Sequence, residues 1–352
     1  MRHIGSRSAF LAALLLVLST FVPGPVLAGA GPTVIATISL GPDENATAFA
    51  LAVNKRTNKT YVTPGAETLS CESHIVSVID NTTNTLLPPI TGGLNPFGIA
   101  VNERTNKIYV ANVGGCDDRP SNIVSVIDGA TDTITTSIAL DGSGLAFVAV
   151  NPKTNKIYVA VNGGCCASGT TVAVIDGATD AVLSYITVDP DPFIVAADPS
   201  TNLVYVTHAG VDKITVIDGS TDTVQTTFSI GSEARGIDFH PSGKFVYVAA
   251  RSTNRMVVVD ARSHAVVQSV PVGLRPHGLL FDPDNGRIYV TNRGRCDDTP
   301  GTVSVIDSET LSLVATVQVG TCPRFLDRSR ETGLIYVPNA STSRSVSVIQ
   351  DK

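Results

Sequence analysis

The chain has 352 residues, 43% of them hydrophobic and 16% charged, with no Trp; Lys and Arg number 25, Asp and Glu 31, for a net charge of −6. That length exceeds a single compact core, which rarely grows past roughly 250–300 residues, so the chain holds two domains or a repeated unit. The acidic balance excludes a nucleic-acid binder driven by a basic surface, and the hydrophobic content excludes a disordered chain.

Residues 1–30 read as a removable signal peptide. Arg2 and Arg7 open it, an apolar run follows from Phe10 to Val22, and Pro23-Gly24-Pro25 ends the run. The run is shorter than the about 20 residues that span a bilayer. The small residues of Val26-Leu27-Ala28 and Ala28-Gly29-Ala30 suit a signal peptidase. A soluble, secreted protein (extracellular, periplasmic or cell-surface) of residues 31–352 is the expectation, with no transmembrane anchor. Its six cysteines, Cys71, Cys116, Cys165, Cys166, Cys296 and Cys322, fit an oxidising compartment and form no C-x-x-C.

Beyond the leader a unit repeats. Tyr-Val recurs at Tyr61, Tyr109, Tyr158, Tyr205, Tyr247, Tyr289 and Tyr336, with spacings of 48, 49, 47, 42, 42 and 47. A V-I-D or V-V-D motif ends at Asp80, Asp128, Asp176, Asp218, Asp260 and Asp307, and the seventh copy reads Val348-Ile349-Gln350. Seven units fill residues 31–352 and leave no second domain. The second unit shows the plan: a small-residue strand at 97–101, a turn, a strand at 107–111, a loop, a strand at 123–127, the polar turn from Asp128, and a strand at 133–139. Four short strands per unit predict an all-β fold, a seven-bladed β-propeller of four-stranded antiparallel blades. The last unit lacks a fourth strand. VIATISL at 34–40 matches LVATVQV at 313–319, with Ala36-Thr37 over Ala315-Thr316. The N-terminal strand is therefore expected to complete the last blade and close the ring.

Tyr289-Val290-Thr291-Asn292, with V-S-V-I-D downstream and its counterparts in all seven units, resembles the YVTN-type β-propeller repeat. The resemblance implies a seven-bladed propeller, exported or at a cell surface. Related propellers include lactonases, streptogramin lyases and binding modules.

Residue roles follow from position. The repeated Tyr rings are expected to pack between blades with their hydroxyls on backbone, and the repeated Asp side chains to cap turns. His240 stands where Asn or Asp opens other turns and reads as a turn residue. The sequons at Asn45, Asn58, Asn81 and Asn339 matter only in a glycosylating host.

The fourth-to-first and second-to-third connections should share one face, around a channel mouth. All six cysteines map there. Cys296 with Cys322 is the favoured disulfide. Cys71 with Cys116 would leave Cys165 and Cys166 as a vicinal pair, and Cys116 with Cys165 or Cys166 competes. Aligned fourth-to-first connections give a column of Phe49, Phe97, Phe147 (one place out of register), Phe193, Arg235, His277 and Arg324, with Arg275 nearby. An apolar arc facing a cationic arc suits a small anionic ligand with an apolar body. The competing reading has Phe plug the channel and Arg pair with Glu233 or Asp327. His277 should stay neutral beside arginine.

No G-x-S-x-G, H-E-x-x-H, P-loop or G-x-G-x-x-G occurs. The G-x-C-D-D loops, with Asp117, Asp118, Asp297 and Asp298, offer too few carboxylates for calcium by themselves, and no metal or cofactor is expected. The resemblance to lactonases implies acids and Asn around the channel, for which Asp43, Glu44, Asn45, Asn95, Asp191 and Glu233 are available. The lyases imply a His and Glu pair, here His277 with Glu233. The main expectation is an exported binding or interaction module holding a small anion or a protein partner on the loop face. The alternative is a lactonase-like hydrolase or a lyase with its site at the channel mouth.

Overall fold

A computed structural model describes residues 31–41, 47–65, 73–114, 121–142, 144–163, 168–340 and 344–351. Seven four-stranded antiparallel sheets surround an axis. Their innermost strands are Ala50–Asn54, Pro96–Asn102, Leu145–Asn151, Pro192–Ala197, Ala234–Phe239, Pro276–Asp282 and Asp327–Arg328, for blades one to seven. The four strands predicted for the second unit are present, the first longer by one residue at each end and the second and third by one residue at their ends, Asn112 and Asp128.

Closure follows the expected register. The N-terminal strand Thr33–Ser39 pairs with Ser345–Gln350 as the outer strand of blade seven. Ala36 lies opposite Val348 as Ala315 lies opposite Val305, and Thr37 opposite Ser347 as Thr316 opposite Ser304.

Alternation with period two sends one set of side chains into each gap between blades. The seven repeated Tyr rings fill these gaps and are at most 1% exposed. Their hydroxyls, expected on backbone, mainly reach side chains of the next blade. The Tyr61, Tyr109 and Tyr158 hydroxyls donate to Asp132, Asp180 and Asp222 at 2.6, 2.7 and 2.9 Å. These three acids sit at positive φ in the turn before the outer strand, a conformation that short polar side chains tolerate. Lys59, Lys107 and Lys156 reach the same carboxylates. Tyr289 bonds Asp351, and Tyr336 closes the circle onto Asn84 of blade one at 2.8 Å.

The motif's other members are structural as well. The Asn112, Asn292 and Asn339 amides donate to Ser125, Ser304 and Ser347 on the third strands. The repeated Asp residues cap turns as expected. Asp128, for example, accepts from the Ala130 and Thr131 amides, which holds its carboxyl below the usual range. His240 bonds Ser242 within its own turn. The sequon residues Asn58, Asn81 and Asn339 are buried.

Near the axis neighbouring inner strands approach closely. A Cβ on Gly98 would stand 2.2 Å from the Ala146 carbonyl oxygen, so this place accepts only glycine where the next strand comes nearest.

Candidate functional site at the loop face

The aromatic half of the predicted column forms one cluster across the channel. Phe49 lies 4.5 Å from Phe97 by ring centroids, Phe97 5.3 Å from Phe147, and Phe147 5.3 Å from Phe193. Phe325 completes it, 4.6 Å from Phe147. Edge and tilted contacts of this kind are favourable for quadrupolar rings. Phe325 was not in the column. It occupies the place that puts Phe147 one residue out of register, and that shared offset was the available signal. The rings fill the axis, so the channel is closed beneath the loop face.

The cationic half sits beside this plug. The Arg235 guanidinium lies 4.8 Å from the Phe193 centroid and that of Arg324 4.9 Å from Phe49, within cation–π range. Glu233 bonds Arg235 and, at 3.2 Å, Arg251. Asp327, the other acid considered for Arg324, points away: it accepts from the Val53 amide of blade one at 2.8 Å. Arg275 does not join the group; it is exposed, with positive φ.

His277 is the centre of this arc. It is 2% exposed, its ring meets Phe325 edge-on at 4.8 Å, and its Nε2 lies 3.4 Å from Arg324 Nη1. An arginine can only donate, so Nε2 is the acceptor and the proton resides on Nδ1. Nδ1 is buried with no hydrogen-bond partner among the described residues. Burial, then the charges of Arg324, Arg235, Arg293 and Arg251, hold its pKa well below the usual imidazole range. His277 is thus neutral, as expected, in the field of four arginines, two more than the Arg235 and Arg324 that the aligned column placed beside it. Arg251 and Arg293 were missed because they lie in second-to-third loops, outside the aligned column.

Cys296 and Cys322 form the favoured disulfide. It ties the long loop of blade six to the connection carrying Arg324. Arg293 lies over it, its Nε 2.9 and 3.1 Å from the two sulfurs. Cys71, Cys116, Cys165 and Cys166 lie outside the described residues, as do Asp43, Glu44, Asn45, Asp117 and Asp118.

The remaining candidates disperse. Asn95 holds the Ser73 amide and the Gly114 carbonyl, and Asp191 accepts from Ser168. Glu233 binds arginines, not His277. Asp297 is exposed and bonded to Thr299. Among the described residues no three His, Cys, Asp or Glu side chains assemble as a metal-ligand set, and no helix is long and apolar enough to cross a membrane.

With this geometry in view, the chain belongs to the lactonase, seven-bladed β-propeller family, whose model matches residues 80–351. No curated protein matches its sequence. Among solved structures it is similar to hydrazine synthase of Kuenenia stuttgartiensis, at 19% identity and a TM-score of 0.72, over 89% of this chain and 97% of that one. At that identity the likeness speaks for the propeller fold alone.

Proposed function

We propose that the chain is an exported hydrolase of small lactones that carry an anionic group, acting at the cationic arc of the loop face. The observation that carries this reading is the buried cluster of His277, with Arg324 3.4 Å from its Nε2, and Arg235 against the Phe193 ring. Opening a cyclic ester needs a proton acceptor for the attacking water and positive charge where the tetrahedral oxyanion develops. Arginines bind a carboxylate in a fixed fork, and the neutral imidazole is a proton acceptor, weakened by the same charges that keep it neutral. Water would add to the carbonyl carbon as Arg324 turns from His277 Nε2 to the developing oxyanion and the water's proton passes to the freed Nε2. The ring C–O bond would then break, and the leaving oxygen would take that proton, giving a hydroxy acid. Membership of the lactonase family supports this over the simple binding module, and the YVTN-like motif and leader support export.

The test is lactone hydrolysis by the full chain, followed as acid release over lactones with and without a carboxylate. Turnover of the anionic members is expected, with kcat/KM lowered by about a hundredfold or more in His277→Gln and KM raised in Arg235→Gln. No limb near the usual imidazole pKa should appear in the kcat/KM profile between pH 5.5 and 8, since the imidazole is already neutral there. Absence of turnover, or variants as active as the parent, would overturn the reading.

A further inference from the structure

The Phe plug divides the channel, and its far side is open. Below Phe147 and Phe325 lies a cavity of about 270 Å³, walled by Ile99, Val195, Ile237 and Leu279. It opens on the turn face, opposite the loop face and its arginines. Three charged side chains from three blades line it: Lys55, Glu103 and Asp327. Lys55 and Glu103 are 3.6 Å apart and remain about one-third exposed, at 31% and 39%. Asp327 has one hydrogen bond on each carboxylate oxygen, from the Val53 and Arg328 amides, so lone pairs remain. Asp238, in the same place on blade five as Asp327 on blade seven, adds its charge to the field at Lys55, while the exposed Arg330 opposes it. Of the three charged side chains that line the cavity, two are carboxylates and one is an ammonium.

We propose that this cavity is a second binding site, for a small organic monocation: an apolar body seated on the aliphatic walls and Phe floor, and an ammonium group at the mouth against Asp327, with Lys55 kept on Glu103. Four features carry this. The volume falls at the small end of ligand pockets, which bury most of a ligand against apolar walls and orient it with a few polar groups. The inner end is sealed by rings, so a ligand enters and leaves by one mouth. The mouth is electronegative, which rejects anions. The floor offers the faces or edges of Phe147 and Phe325, which suit an apolar or aromatic body. This site is independent of the proposed hydrolase site, separated from it by the plug.

The test is calorimetric titration of the full chain with 2-phenylethylammonium, with 2-phenylethanol and 3-phenylpropionate as neutral and anionic counterparts. The ammonium is expected to bind about tenfold or more tightly than the alcohol, the energy of about one charge contact, and the carboxylate not at all. Glu103→Gln, a half-exposed change that spares the fold, releases Lys55 to Asp327 and should erase the preference for the ammonium. Ala52→Leu, which fills the cavity wall, should abolish binding. Arg235→Gln should change neither, whereas it impairs the proposed hydrolase, so the two ideas fail separately. Equal affinity for ammonium and alcohol, binding that survives Ala52→Leu, or no heat at millimolar ligand would each overturn the proposal.

Discussion

Tyr109 places its ring in the gap between blades two and three and its hydroxyl on Asp180. Tyr205 fills the same place one joint further on from Tyr158, but the next blade carries His264 where the acid would stand. Its hydroxyl is buried without a hydrogen-bond partner among the described residues. One motif residue therefore does two different things for stability. Tyr109→Phe should cost about 1–2 kcal/mol, because a partly buried carboxylate loses a donor. Tyr205→Phe should be neutral or slightly stabilising, because it removes an unsatisfied group. Denaturant melts of the two variants check this; equal losses would contradict it. The Asp partners were not legible in the sequence. Each lies about 70 residues from its Tyr, and a repeat read one unit at a time hides contacts made between units. The separation of Asp327 from Arg324 was legible in principle. Three residues along an extended chain carry the acid about 10 Å down the channel and onto the other face of the strand, so the acid close to an arginine in sequence serves the turn-side cavity.

At the scale of the strand, the closing segment shows how far a repeat can carry inference. VIATISL could be set in register before any coordinates, because its counterpart strand in blade six meets the same third-strand pattern. Its two faces have different duties. Ile38 is 7% exposed and packs with Leu40 and Val346 in one core cluster, whereas Ile35 is 47% exposed. Ile38→Ala should cost about 2–4 kcal/mol, the usual range for emptying a core position. Ile35→Ala should stay within about 0.5 kcal/mol. Thermal or chemical melts of the pair test whether this strand is a packed member of blade seven. Loss from Ile35→Ala as large as from Ile38→Ala would deny the alternation. The loop-face arginines illustrate the opposite case: a strand repeat has fixed spacing, while the loops that carry Arg251 and Arg293, whose charges reach His277, vary in length and cannot be aligned.

For the molecule as a whole, the Phe plug closes the channel between an arginine cluster toward the loop face and a cavity toward the turn face. The turn-face chamber also shapes the pH dependence of stability. Asp238 accepts from the Phe239 and Phe281 amides, yet enclosure by protein pushes its carboxyl up to about 6. A carboxyl raised in the folded state binds more protons there than in the unfolded chain. Stability from this group therefore falls as pH rises from about 4 to about 6, and is level above. Asp238→Asn removes that slope. The melting temperature of the variant relative to the parent should rise between pH 4 and pH 7, and a difference constant with pH would refute the assignment.

The clasp between the first and last described strands has a mechanical side. Thr33 stands opposite Gln350, and Ser39 opposite Ser345, so the outer ends of the two strands emerge side by side. Tension applied between residues 33 and 350 would not shear this ladder but unzip it, loading its cross-strand hydrogen bonds one after another, since they run perpendicular to the strands. The ring is thus opened by a small force at one seam, the place where stretching a tethered molecule should begin.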